Sequence, residues 1–207
     1  MYSCKNVIMG RYIEASHIIL YTDIQKNENI FVLLPMYLLL ESRKKTSICI
    51  DKEDVFTQTE LIDILKKFNI GVNIDYTDRF DKDNSLIIYI TDKSNIDIEK
   101  IPKNNTLVIQ NHDINETREY LYIANQQGQS IYEFLSDIFI FNDNSNNLFS
   151  LQLSSNISTL LLTGILLSTN YLKDTYNSRT YLTISRLISE GTGNMKDAQA
   201  FYEKYRK

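Results

Sequence analysis

Apolar residues along this chain fall into short continuous runs separated by segments with helical spacing, and that alternation decides the fold class. His17 to Tyr21 and Thr46 to Ile50 read as buried strands. Between them, Ile30 to Leu40 is wholly apolar and leads to a helix end near Glu41, where Arg43, Lys44 and Lys45 stand as solvated charges that complement a helix carboxyl terminus. That run reaches only about half of the ~20 residues a membrane-spanning helix needs, and Pro35 interrupts it, so it predicts a buried helix. Thr57 to Phe68 places Leu61, Ile64, Leu65 and Phe68 on one face, and Thr57 with Glu60 has the form of a capping box. Ser85 to Ile90 and Thr106 to Ile109 are further β-rich runs on either side of a polar stretch from Asp92 to Lys103. Four such alternations predict an α/β fold with a parallel-rich sheet covered on both faces by helices.

After Asn115 the pattern changes. Glu119 to Ile123 reads as a last strand, Ser130 to Phe139 as a helix, and the polar segment from Asn142 to Asn147 as a loop. From Leu151 onwards three helical patterns follow, divided at Lys173 to Asn177 and at Gly191 to Asn194, with Gly191 suited to close the second helix. The expected organisation is an amino-terminal extension over 1–15 and a single domain over 16–207, ending in a helical segment.

Composition narrows the function classes. With 43% hydrophobic and 23% charged residues in 207, the chain is that of a globular protein with a sizeable core, which excludes global disorder. A formal net charge of −4 gives no overall attraction to nucleic acid or to an anionic membrane. Cys4 and Cys49 share no short metal-binding spacing, and a chain of this size needs no disulfide, so a reducing compartment such as the cytoplasm is expected. Leu160 to Leu167 is too short to span a membrane, and the amino terminus lacks the apolar core of a signal peptide. Many Asn, Ile, Lys and Tyr residues, no Trp and two Pro suggest an AT-rich coding genome.

Four segments concentrate polar residues where strands end or helices begin. Asp23, Asn27 and Asn29 follow the first strand and precede Val32-Leu33. Ile90-Thr91-Asp92-Lys93-Ser94-Asn95 closes a later strand, and Gln110-Asn111-His112 follows Leu107-Val108-Ile109. Thr163-Gly164-Ile165-Leu166-Leu167-Ser168-Thr169-Asn170-Tyr171-Leu172 lies in the helical part. In this order these segments resemble the motifs of the DHH phosphoesterases, the family of oligoribonucleases and pAp phosphatases. The resemblance covers about residues 16 to 207. It continues through Ser178-Arg179-Thr180-Tyr181-Leu182, Leu187 to Gly191 and Phe201 to Tyr205, and leaves no counterpart of the family's usual carboxyl-terminal substrate-binding domain.

The resemblance implies a site in which clustered Asp and His residues hold two Mn²⁺ or similar ions that activate water and grip a phosphate. At the matching positions Asn27 and Asn29 stand for two Asp, Val32-Leu33 for Gly-Ser, Gln110 and Asn111 for the Asp and first His of Asp-His-His, and Ser168 for an Asp. Asp23, Asp92 and His112 remain. Neutral amides and a hydroxyl are poor ligands for hard divalent ions, so no cofactor is expected. Removing clustered carboxylates also relieves their mutual repulsion, which favours a fold that is stable without metal.

The implied function is that of a catalytically inactive phosphoesterase-like protein acting as a structural or adaptor subunit of a larger protein assembly. The alternative is residual nucleotide or short-RNA binding, or weak phosphodiesterase activity. Against site roles stand plainer ones: His112 as a hydrogen-bonded strand end, Asp92 as a turn cap, His17 without chemistry, and the tyrosines at 120, 122, 132, 171, 176, 181, 202 and 205 as packing instead of a base-stacking surface. Phe201, Tyr202 and Tyr205 lie within a turn and a half of the last helix. Phe201 and Tyr205 share a face and Tyr202 lies about 100° away, which leads to the expectation that at least one projects from the core as an anchor for a protein partner.

Overall fold

A computed structural model describes residues 10–22, 29–50, 55–76, 84–91, 105–110, 121–124, 130–139, 153–174 and 177–206. Six strands form one sheet: β1 (His17–Thr22), β2 (Lys45–Ile50), β3 (Ile74–Tyr76), β4 (Ser85–Thr91), β5 (Thr106–Gln110) and β6 (Leu121–Ala124), in the order β3-β2-β1-β4-β5-β6. Every neighbouring pair is parallel. This is the parallel α/β architecture that the alternating runs predict. The short β3 escapes the sequence pattern because only three residues pair, Ile74 to Tyr76 against Ile48 to Ile50.

Six longer helices accompany the sheet: α1 (Asn29–Glu41), α2 (Val55–Phe68), α3 (Ile131–Phe139), α4 (Ser155–Ser168), α5 (Ser178–Ser189) and α6 (Met195–Tyr205). The unbroken apolar run of α1 follows from its position. One side packs on β1 and β2 and the other on α4, so the helix has no solvent face to make polar, and Ile30 to Tyr37, Leu39 and Leu40 (Pro35 among them) are buried. The helix runs through Pro35, which interrupts the apolar run in sequence without ending the helix. A third layer then forms as α4 contacts α3, α5 and α6. On the opposite face of the sheet a smaller cluster joins Ile19, Cys49, Ile87, Tyr89 and Val108, with Tyr21 stacked on Tyr89 at 5.4 Å.

Several local expectations are corrected. Helix α2 begins at Val55, so Thr57 lies inside its first turn and not at the cap. Gly191 does not close α5 in a left-handed conformation; Thr192 takes the positive φ of 52°, and a side chain at Gly191 would collide with Ser158 and Leu153. Lys44 is not a solvated charge. Its ammonium donates to the carbonyls of Ile13 (2.7 Å) and Ala15 (2.6 Å) and sits over the Tyr12 ring. Tyr12 and Ala15 belong to the buried core, so the helical turn at 10–14 packs on the body of the domain.

The aromatic residues of α6 are corrected as well. Phe201, Tyr202 and Tyr205 are all buried, so none of them projects as an anchor. Phe201 and Tyr205 meet Phe31 of α1 at 6.1 and 5.6 Å between ring centres, and Phe201 meets Phe68 of α2 at 5.6 Å. Tyr202, pointing about 100° away around the helix, is covered by Tyr171 at 5.2 Å. The helix lies in a groove, and both of its aromatic directions meet walls.

Candidate functional site

In the order β3-β2-β1-β4-β5-β6 the chain winds outward from β1 in one direction and from β4 in the other. The order therefore reverses between β1 and β4, and in open parallel sheets ligands bind at the carboxyl ends of the strands at such a switch point. The described polar groups at that edge are Thr22 ending β1, Thr91 ending β4 and Gln110 ending β5, all buried. Thr22 is in register with Ile90 and donates its hydroxyl to the Ile90 carbonyl at 2.6 Å. Thr91 is in register with Gln110 on the same face of the sheet. Among the described residues the edge thus carries two hydroxyls and an amide, none of which supplies negative charge.

The segment containing Ser168 is positioned by α4. Ser154 caps the helix start by accepting from the Ile157 amide at 3.4 Å. At the other end Thr169 donates its hydroxyl to Ile165 O (2.6 Å) and accepts from the Leu172 amide (3.1 Å). Ser168, half-buried, donates its own hydroxyl to Ile165 O at 3.2 Å. The three residues after Thr169, namely Asn170, Tyr171 and Leu172, have φ of 45°, 58° and 62°. Consecutive non-glycine residues in this left-handed region each cost on the order of 1 kcal/mol. The turn is held by Tyr171 N to Leu166 O (2.7 Å), Lys173 N to Thr169 O (3.0 Å) and the Tyr202 hydroxyl on Asn170 Oδ1 (3.1 Å). Sequence reasoning missed this reversed turn, since of the three only Asn170 is of a type that visits the region readily.

Of the residues singled out in sequence, the structure sets Gln110 beside Thr91 and places Ser168 at the end of α4. Asn29 opens α1. Asp23, Asn27, Asp92, Asn111 and His112 lie outside the described residues. Val32 and Leu33, at the matching Gly-Ser positions, are buried in the main core and leave no small-residue gap at the start of α1. Among the described residues no group of three or more His, Cys, Asp or Glu could hold a metal ion, and Gln110 and Ser168 add no anionic donor for the ion pair that the resemblance implies. His17 is buried at the opposite end of β1, where Ser47 Oγ lies 2.9 Å from its Nε2. No described helix is long and apolar enough to cross a membrane.

Neither a protein-family model nor a curated protein matches the chain. Solved structures do. An exopolyphosphatase-related protein from Bacteroides fragilis superposes with a TM-score of 0.67 at 15% identity, over 99% of this chain and 61% of that one. A putative family II inorganic pyrophosphatase from Methanococcus jannaschii superposes with a TM-score of 0.57 at 16% identity, over 91% of this chain and 59% of that one. At these identities the likeness is one of fold. The chain spans about three fifths of the length of each neighbour.

Proposed function

We propose that this DHH-like domain has lost phosphoester chemistry and serves as a structural or adaptor subunit of a larger protein assembly. The observation that carries the reading is the neutrality of the described part of the sheet's carboxyl edge. Where the resemblance calls for acidic ligands, Gln110 is a buried amide, and Ser168 directs its hydroxyl to its own helix. Two divalent ions a few ångströms apart repel strongly and need several carboxylates and imidazoles to hold them. Asn27, Asn29 and Asn111 weaken the remaining motif positions in the same sense. Burial of Val32 and Leu33 supports the reading independently, because the helix start that would receive a phosphate is filled by core packing.

The purified protein is expected to bind no stoichiometric Mn²⁺ and to hydrolyse neither pAp nor short oligoribonucleotides. Metal analysis after dialysis against Mn²⁺, combined with a turnover assay, tests both. Two equivalents of tightly held metal, or turnover abolished by Asp92→Ala, overturns the proposal. Purification of the native protein at low salt, with identification of what accompanies it, tests the adaptor role.

A further inference from the structure

The segment over 10–16 lies along the amino-terminal edge of the sheet and meets it at the starts of four successive strands. Lys44, which precedes β2, donates its ammonium to Ile13 O and Ala15 O at 2.7 and 2.6 Å. Ser16 precedes β1, and its amide and hydroxyl donate to the carbonyl of Asn84, which precedes β4, at 2.9 and 3.3 Å. Arg11 donates to Asn105 Oδ1, just ahead of β5, at 2.9 Å. These links follow the sheet order β2-β1-β4-β5 along one line.

The grip of this segment on the domain is narrow. Tyr12 and Ala15 are buried, while Arg11, Ile13, Glu14 and Ser16 are exposed. The strand starts beneath it form a polar layer. His17, Ser85 and Thr106 open their strands as buried residues, and Ser47 Oγ lies 2.9 Å from His17 Nε2. The buried Ser85 hydroxyl has no hydrogen-bond partner among the described residues. Lifting the segment therefore exposes little apolar surface beyond one ring and one methyl group, and it frees the segment's backbone. The carbonyls of Ile13 and Ala15 lie where the helical turn at 10–14 runs out of partners in its own chain segment. The cation that satisfies both comes from another element and also stands 5.2 Å from the centre of the Tyr12 ring. One side chain thus holds the polar end of the segment and its buried ring together.

We propose that residues 10–16 form a strap that opens as a unit while the sheet stays folded, with the Lys44 ammonium as its fastener. Opening separates the ammonium from both carbonyls and from the Tyr12 ring in one motion and admits water to the strand starts. The strap is independent of the chemistry of the carboxyl edge, which lies at the other end of the strands.

Native-state amide hydrogen exchange of the full chain, read by NMR in increasing sub-denaturing urea, tests it. The Ala15 amide, bonded to Arg11 O, and the Ser16 amide, bonded to Asn84 O, report on the strap; those of Ile19 and Leu20 report on β1. In the unaltered chain Ala15 and Ser16 should share one urea dependence, weaker than that of Ile19 and Leu20. Lys44→Met, which keeps the apolar stem and removes the charge, should speed exchange at Ala15 and Ser16 by about ten-fold or more and leave Ile19 and Leu20 unchanged. Asn105→Ala, which cuts the exposed Arg11 link, should speed it less than Lys44→Met does. A urea dependence at Ala15 and Ser16 equal to that of β1 overturns the proposal, and this reading needs no variant to fold. Unchanged exchange in Lys44→Met, or an equal rise at all four amides, overturns it as well. So does a larger effect of Asn105→Ala than of Lys44→Met.

Discussion

Gly164 shows how a residue's reason can be invisible in one sequence. It stands in the most motif-like segment of the chain, yet the structure gives it a steric role: a Cβ there would overlap the ring of Tyr132, which is fully buried and has nowhere to swing. Gly164→Ala is expected to destabilise the fold by about 1–3 kcal/mol through overpacking, lowering the melting temperature by roughly 5 °C for a chain of this size. Gly71→Ala, where nothing lies within 4 Å, should leave it unchanged. Thermal denaturation of the two variants side by side checks the contrast, and equal melting temperatures would show that Tyr132 has room to move. Lys44 was equally illegible, because a basic residue after a helix reads as solvated charge until the carbonyls of Ile13 and Ala15 are seen to converge on it. The neutral residues at the motif positions, by contrast, were legible directly. Their chemistry is in the side-chain type, and the structure adds where Gln110 and Ser168 sit.

Among elements, the strands and helices of the main core were readable where an apolar run met a simple period, and their ends were less so. The pattern hydroxyl, two residues, Glu occurs at Thr57 to Glu60 and again at Ser130 to Glu133. The first lies inside α2, which begins at Val55, and the second is a capping box: the Glu133 carboxylate accepts from the Ser130 amide and hydroxyl at 2.9 and 2.7 Å, and the Ser130 hydroxyl accepts from the Glu133 amide at 3.3 Å. Four residues cannot distinguish a helix start from a point two residues inside one. For α6 the sequence supplied the aromatic spacing but not the walls around it. Because Phe201 joins α6 to both Phe31 and Phe68, Phe201→Ala should cost about 3–5 kcal/mol, a fall in melting temperature of roughly 10 °C. Retention of the full melting temperature would mean that α6 is peripheral to folding.

For the whole molecule, parallel pairing followed from the alternation of runs and helical segments, while the placement of β1 at the centre did not, since pattern alone does not order strands. One consequence of the packed core appears at high pH. Burial pushes the hydroxyls of Tyr12, Tyr37 and Tyr205 above their ordinary value of 10.0. The folded chain therefore keeps these protons where the unfolded chain releases them, so the stability they contribute is complete below about pH 10 and is lost as pH rises through the folded-state values. Melting temperatures recorded from pH 8 to 11 should hold and then fall, and Tyr12→Phe should make the fall shallower. A flat profile to the top of that range would refute the assignment. The central strand also bears on how the protein is made. Strand β1 leaves the ribosome before the other described strands, yet one of its two neighbours, β4, is encoded about seventy residues later, and the Phe31 ring of α1 waits for Phe201 and Tyr205 of α6. A nascent chain halted after β3 exposes an open β1 edge and a bare apolar helix, so this architecture defers closure of its core until α6 has been made.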